Sequence, residues 1–167
     1  MDGKAADALP GNFAAFYERE FAAIALIAGT TAGDRAIGED IAQEALARAS
    51  ERWSQLTDYD KPGAWVRRVA INLALDDRRR QGSRQRAVEQ LQASPTVAPE
   101  PRAGDPEVWA AVDSLPPRQR SVVVLHYFED RPVAEIAHIL DISVSATTSH
   151  LHKARAALSA RLRGGSQ

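Results

Sequence analysis

The chain has 167 residues, 44% of them hydrophobic and 26% charged, with a net charge of −1 and no cysteine. Such a composition suits one folded domain or two small ones. It excludes a disulfide framework, a thiolate nucleophile and a thiolate metal site. No apolar run approaches the roughly 18 residues of a membrane span, so no membrane insertion is expected. The first twelve residues lack the basic start and apolar core of a signal peptide, and a cytoplasmic location is the expectation that fits the missing cysteines.

Phe13, Phe16, Tyr17, Phe21, Ile24 and Ile27 recur at three-to-four spacing and predict a first helix over residues 11–28, which "GTTAGD" should break. Ile37, Ile41, Ala45, Leu46, Ala49 and Trp53 form a second stripe, with Glu39, Asp40, Gln43 and Glu44 on the opposite, polar face. Pro62 suits the first turn of a third helix, which should run out near Gly82. From Lys61 to Arg86, eight basic residues face two acidic ones, leaving the rest of the chain acidic. A basic strip concentrated on an acidic protein suggests a polyanion bound at one place and other partners elsewhere.

Four prolines between residues 92 and 106 mark a flexible linker. It divides the chain into a part over 10–90, a linker over 91–105 and a part over 106–163. Asp105-Pro106-Glu107 is a helix start of cap, proline and acid. "SVVVLHYF" is β-branched enough to be a strand in isolation, but its length and flanks favour a helix to about Phe128. Pro132 starts a helix to about Leu140, and the last helix begins near Ser143 or Ser145 and runs to about Leu162. Between them Asp141 stands where a left-handed backbone is needed, and Ala137 sits where two helices must cross closely. This is the layout of a helix-turn-helix, and the overall expectation is an all-α protein of two small domains, the second winged-helix-like.

Three blocks, in order, resemble one family. "GEDIAQEALARASERW" (38–53), "PGAWVRRVAINLALDDRRR" (62–80) and "LPPRQRSVVVLHYFEDRPVAEIAHILDISVSATTSHLHKARAAL" (115–158) resemble the core-binding helix, the promoter-melting helix and region 4 of an extracytoplasmic-function (ECF) sigma factor. This is the branch of the sigma-70 family with regions 2 and 4 only. The resemblance implies core RNA polymerase as partner, through its β′ clamp and β flap, with Asp40, Gln43 and Glu44 on the clamp. It implies promoter DNA as second partner. Trp65, Arg67, Arg68, Asn72, Asp76, Arg78, Arg79 and Arg80 would serve the minus-ten element, although a tryptophan near a helix start is more often core. Ser145, Thr147, Thr148, Ser149, His152, Lys153 and Arg155 would serve the minus-thirty-five element. An anti-sigma factor is the further partner implied.

One block departs from the family. Thr148 and His150 stand where two cations are usual, so weak binding by the isolated second domain is expected. Two other readings compete. A stand-alone helix-turn-helix regulator would leave 38–53 and 62–80 unexplained. An enzyme would need a site, and none is expected: His150 and His152 diverge on their helix, Asp76 and Asp77 do likewise, and no glycine-rich phosphate loop occurs. No catalytic group, metal or cofactor is therefore expected.

Overall fold

The computed structural model describes residues 12–58, 61–88 and 102–164. All the regular structure among them is helical: α1 (Phe13–Ala32), α2 (Arg35–Glu51), the single turn α3 (Trp53–Leu56), α4 (Pro62–Val88), α5 (Pro106–Asp113), α6 (Pro117–Val123), α7 (Val133–Leu140) and α8 (Val144–Gly164). There is no strand among the described residues, and hence no wing. The expected linker falls outside the described residues as far as 101.

In the first half, α1, α2 and α4 enclose a core of Phe16, Ile24, Ala28, Ala45, Leu46, Trp53, Val66 and Ala70. Helix α1 continues four residues past its predicted end, because Gly29, Thr30, Thr31 and Ala32 are buried and packing overrides their poor helix propensity. It stops at Gly33, whose φ of 84° is left-handed and whose N–H returns to the Gly29 carbonyl at 2.8 Å. Asp34 then caps α2 by accepting from the Ile37 N–H at 3.2 Å. The α2 stripe does not reach Trp53 in one helix, since the chain bends at Arg52 and Trp53 opens α3. Helix α4 runs through Gly82 to Val88; one interior glycine costs about 1 kcal/mol, which does not end a helix followed by good formers.

In the second half, Asp105 caps α5 through the Glu107 N–H at 2.8 Å, with Pro106 in the first turn. The β-branched run is helical, with α6 passing into a π-helical turn over Val124–Phe128. Val122 to Leu125 are all buried there, so burial on every side outweighs strand propensity. Asp141 is left-handed at φ 53°, and Ser143 caps α8 by accepting from the Ala146 N–H at 3.0 Å.

The two halves share a core. Ile27, Ile71 and Leu75 of the first are buried with Val122, Leu125, Ile136, Ile139, Leu140 and Leu151 of the second. Thr31 and Ser121 hydroxyls meet across the boundary at 2.9 Å. The buried Arg120 donates to the Leu115 carbonyl at 2.8 Å and the Thr30 carbonyl at 3.3 Å.

Helices α1 and α2 cross at two glycines. A Cβ on Gly38 would lie 2.5 Å from the Gly29 Cα and 2.6 Å from the Ala25 carbonyl oxygen, both rigid backbone atoms. The overlap outweighs the ~1 kcal/mol of helix propensity that alanine would bring. Gly38→Ala is therefore expected to lower unfolding free energy by about 1–3 kcal/mol in urea titrations; a variant as stable as the parent would contradict this crossing.

Candidate polymerase and nucleic-acid interfaces

The polar face of α2 is set by what its other face buries. Ile41, Ala42, Ala45, Leu46 and Ala49 are in the core, which leaves Asp40, Gln43 and Glu44 exposed together. Glu44 accepts from Arg48 at 2.8 Å, but both are about half exposed. Such a surface pair contributes under about 1 kcal/mol, so a partner's cation can replace it at little cost.

Asn72 and Asp76 are exposed on α4, one turn apart. Asp76 accepts from Arg79 at 3.2 Å, and Arg78, Arg79 and Arg80 are all exposed. Trp65 is half-buried against the core of the first half.

Arg67 and Arg68 stand apart from this surface. The Arg67 side chain is only 4% exposed; its Nε donates to Glu129 at 2.6 Å, and its Nη1 to Glu20 at 2.8 Å and to the Gly63 carbonyl at 3.1 Å. Arg68 donates to the Ile139 carbonyl at 3.2 Å and to the His138 carbonyl, both on α7. The phosphate contacts expected of these two residues are thus not open in this arrangement: Arg68 is held by carbonyls of the second half, and Arg67 by Glu129 of the second half together with Glu20 and the Gly63 carbonyl of its own. Lys61, with its Nζ 3.6 Å from Glu135, also faces that half.

Burial opposes the charge on Arg67, but Glu129 and Glu20 outweigh it, and its pKa lies above the ordinary guanidinium value. Glu20 shows the same balance from the other side. Burial pushes its pKa up, the hydrogen bond and charge of Arg67 pull it down further, and the net direction is down. Arg120 is the counter-case: burial first, and the nearby Arg78 charge second, lower its pKa despite Asp113.

On α8, Ser145, Thr148, Ser149, His152, Lys153 and Arg155 are exposed. Thr147 is not. It is fully buried, and its hydroxyl donates to the Ser143 carbonyl at 3.0 Å, so it anchors the first turn rather than meeting a base. Its place beside Leu151 and Ala154 on the inward stripe was the signal available in the sequence. Arg155 is held against Tyr127, donating to its hydroxyl at 2.5 Å with the guanidinium 5.7 Å from the ring centre.

Between the end of α4 and the second half lies a cleft of about 460 Å³. Arg78, Arg79 and Arg86 line it from one side, Arg118 and His150 from the other. Burial, followed by the charges of Arg118 and Lys153, lowers the His150 pKa, so its imidazole is neutral near pH 7. Among the described residues no three His, Cys, Asp or Glu side chains gather as metal ligands, and no helix is long and apolar enough to cross a membrane.

The groups that sequence reasoning missed are Glu20, Glu129, Glu135, Thr31 and Ser121. They matter only through partners 47 to 90 residues away, which no local pattern encodes.

Comparison with known proteins agrees across both halves. Residues 16–84 match the family model for sigma-70 region 2, and residues 106–158 that for sigma-70 region 4. The RNA polymerase sigma-E factor of Streptomyces coelicolor is 36% identical over 121 residues, 72% of this chain and 68% of that protein. The ECF RNA polymerase sigma factor SigL of Mycobacterium tuberculosis is 33% identical over 154 residues, 86% and 85% of the two chains. Among solved structures, the sigma factor RpoE of Bartonella quintana, crystallised with the anti-sigma factor NepR, superposes with a TM-score of 0.76. At 17% identity that likeness concerns the fold, and it covers 91% of this chain and 97% of that one.

A carboxyl whose folded pKa is lowered stabilises the fold above its unfolded pKa and loses that contribution as pH falls through the folded value. Glu20 is such a group. The urea midpoint of the wild type is expected to fall more steeply as pH drops below the ordinary glutamate value of 4.5 than that of Glu20→Gln, which is less stable at pH 7 and flatter in that acid range. Parallel curves would show that the Arg67–Glu20 pair adds nothing.

Proposed function

The chain belongs to the sigma-70 family as an ECF sigma factor that directs transcription initiation, and we propose that two of its exposed faces divide the work. The acidic and amide face of α2 takes core RNA polymerase; the basic end of α4, with α8, takes promoter DNA. The observation that carries this is the separation of charge between neighbouring helices. Asp40, Gln43 and Glu44 are exposed together on α2, while Asn72, Asp76 and Arg78 to Arg80 are exposed together on α4. An acidic helix face suits the basic surface of a protein partner and repels phosphate, so one of these faces cannot serve both ligands.

At the minus-ten element, Asp76 offers acceptors only and favours a base presenting an amino group, such as cytosine. Asn72, one turn earlier, contributes both a donor and an acceptor. Extruding a base costs a few kcal/mol, and Arg78, Arg79 and Arg80 offset part of that through phosphate contacts. Trp65, partly buried against the first core, is the aromatic group proposed for stacking. At the minus-thirty-five element, Thr148, Ser149, His152 and Lys153 face the bases. Ser145 offers its hydroxyl to a phosphate at the opening turn of α8. Arg155 holds phosphate from a position that Tyr127 already fixes, which reduces the ordering cost of the contact. Neither element is bound tightly alone; core polymerase, holding region 2 at the clamp and region 4 at the β flap, would combine the two affinities. An anti-sigma factor is a further proposed partner, as the Bartonella relative of the same fold was crystallised with one. The cytoplasm, where polymerase works, is the proposed location.

Run-off transcription with core polymerase on a promoter library tests the reading, since a stand-alone operator-binding regulator would give no core-dependent transcript. Asp76→Ala should relax base preference at one minus-ten position and leave the others unchanged; an unaltered profile removes Asp76 from base reading. Charge reversal at Asp40 and Glu44 together should weaken core binding about tenfold or more, some 1.4 kcal/mol, with the DNA affinity of the free protein unchanged. Equal core affinity would place the polymerase face elsewhere.

A further inference from the structure

We infer that the cleft between the far end of α4 and the start of α6 is a binding site for a small oligophosphate, an anion of two or three linked phosphates, free or carried on a nucleoside. The inference does not depend on the promoter reading above. It concerns a concave site with cations on both walls, and two of them, Arg118 and His150, have no part in that reading.

The walls carry one sign of charge. Arg78, Arg79 and Arg86 come from α4, Arg118 from α6 and His150 from α8. Arg78 and Arg118 make no ion pair among the described residues. Arg79 has only Asp76, at 3.2 Å, and both side chains are more than half exposed, so water screens that pair. Arg86 uses its Nε on the Gly82 carbonyl at 3.2 Å and keeps its terminal donors.

These cations act on one another. The Nη1 atoms of Arg78 and Arg120 each lie 3.2 Å from the place a Cβ would take on Gly33, so two guanidiniums approach across a residue with no side chain. Burial, and after it the Arg78 charge, lower the Arg120 pKa; burial, and after it the Arg118 charge, lower that of His150. Like charges drawn together in this way, on a chain whose net charge is −1, raise the free energy of the empty site. A bound anion removes that repulsion.

Shape and donor chemistry narrow the ligand. The volume of about 460 Å³ falls in the range of roughly 300–1,000 Å³ typical of small-molecule sites. Leu75, Pro116 and Pro117 complete the lining and bring no acceptor side chain. A single small anion meets one or two of these cations. Linked phosphates, each able to accept from an arginine fork, reach both walls at once. The Nδ1 of His150 is buried without a hydrogen-bond partner among the described residues, and as an N–H it donates to a phosphate oxygen.

Calorimetric titration of the full chain with sodium tripolyphosphate, and separately with ATP, tests the site at about 0.15 M salt, where diffuse attraction is screened. Sulfate at equal ionic strength is the control. The expected result is one saturable site per chain for at least one of the two probes, with sulfate binding at least about tenfold more weakly. Tighter binding of ATP would mark a nucleotide as the source of the phosphates, and equal or weaker binding an inorganic chain. Arg118→Glu and Arg86→Glu, one on each wall, should each weaken the binding at least about tenfold. Arg84→Glu makes the same change of charge on an exposed residue of α4 outside the cleft, and should alter it less than about twofold. Should Arg118→Glu fail to fold, the exposed Arg86 decides against Arg84. No saturable binding below about 1 mM, or equal losses in Arg86→Glu and Arg84→Glu, would overturn the inference. So would a single-stranded oligonucleotide that binds more tightly than both probes and loses as much in Arg118→Glu, since the cleft would then be a nucleic-acid groove.

Discussion

The guanidinium of Arg67 is the fixed point of this structure. It is almost wholly buried, and its donors end on Glu129, Glu20 and the Gly63 carbonyl. A charge taken from water at such a cost stays only where it is paired and hydrogen-bonded, and here two carboxylates share that task. Three elements are thereby pinned together: α4, which bears the arginine, α1 with Glu20, and the end of the π-helical turn with Glu129. With Arg67 pinned inward, the helical repeat decides the rest of α4. At about 100° per residue, Ile71 and Leu75 fall within about 80° of Arg67, whereas Asn72 and Asp76 turn about 140° and 180° away. The first pair is buried against region 4, and the second pair is exposed.

The polymerase-facing helix depends on a different constraint, the absence of two side chains. Gly29 and Gly38 let the backbones of α1 and α2 touch, and at Gly38 no larger residue fits without a shift of backbone. That contact fixes the rotation of α2, and with it the outward aim of Asp40, Gln43 and Glu44. The glycine that looks like a flaw in helix propensity is therefore a packing requirement.

Charge is distributed to match. Of the eight cations between Lys61 and Arg86, the three nearest the start of α4 turn to region 4, while Arg78, Arg79, Arg80, Arg84 and Arg86 remain exposed at its far end. That end faces Arg118 and His150 across the cleft, with no acidic group among the described residues lining it. Closure thus gains ion pairs at one end of α4 and brings like charges together at the other.

What the sequence determined by itself was everything that repeats at short range. Apolar spacing revealed the helices, Asp105-Pro106 and Asp141-Ile142-Ser143 revealed a start and a turn, and the three family blocks revealed the sigma-70 family, because caps, stripes and motifs are encoded within a few residues of one another. The outward place of Lys153 follows from the same periodicity, whereas Asn72 and Asp76 were marked by the family resemblance and not by their spacing. Only the tertiary structure decided which polar residues were spent inside. Arg68 was lost to carbonyls on the far side of the linker, and Arg67 to Glu129 there and to Glu20 and the Gly63 carbonyl of its own half. A buried ion pair leaves no local trace: Arg67 and Glu129 lie 62 residues apart, and each looks like an ordinary surface charge until the fold brings them together.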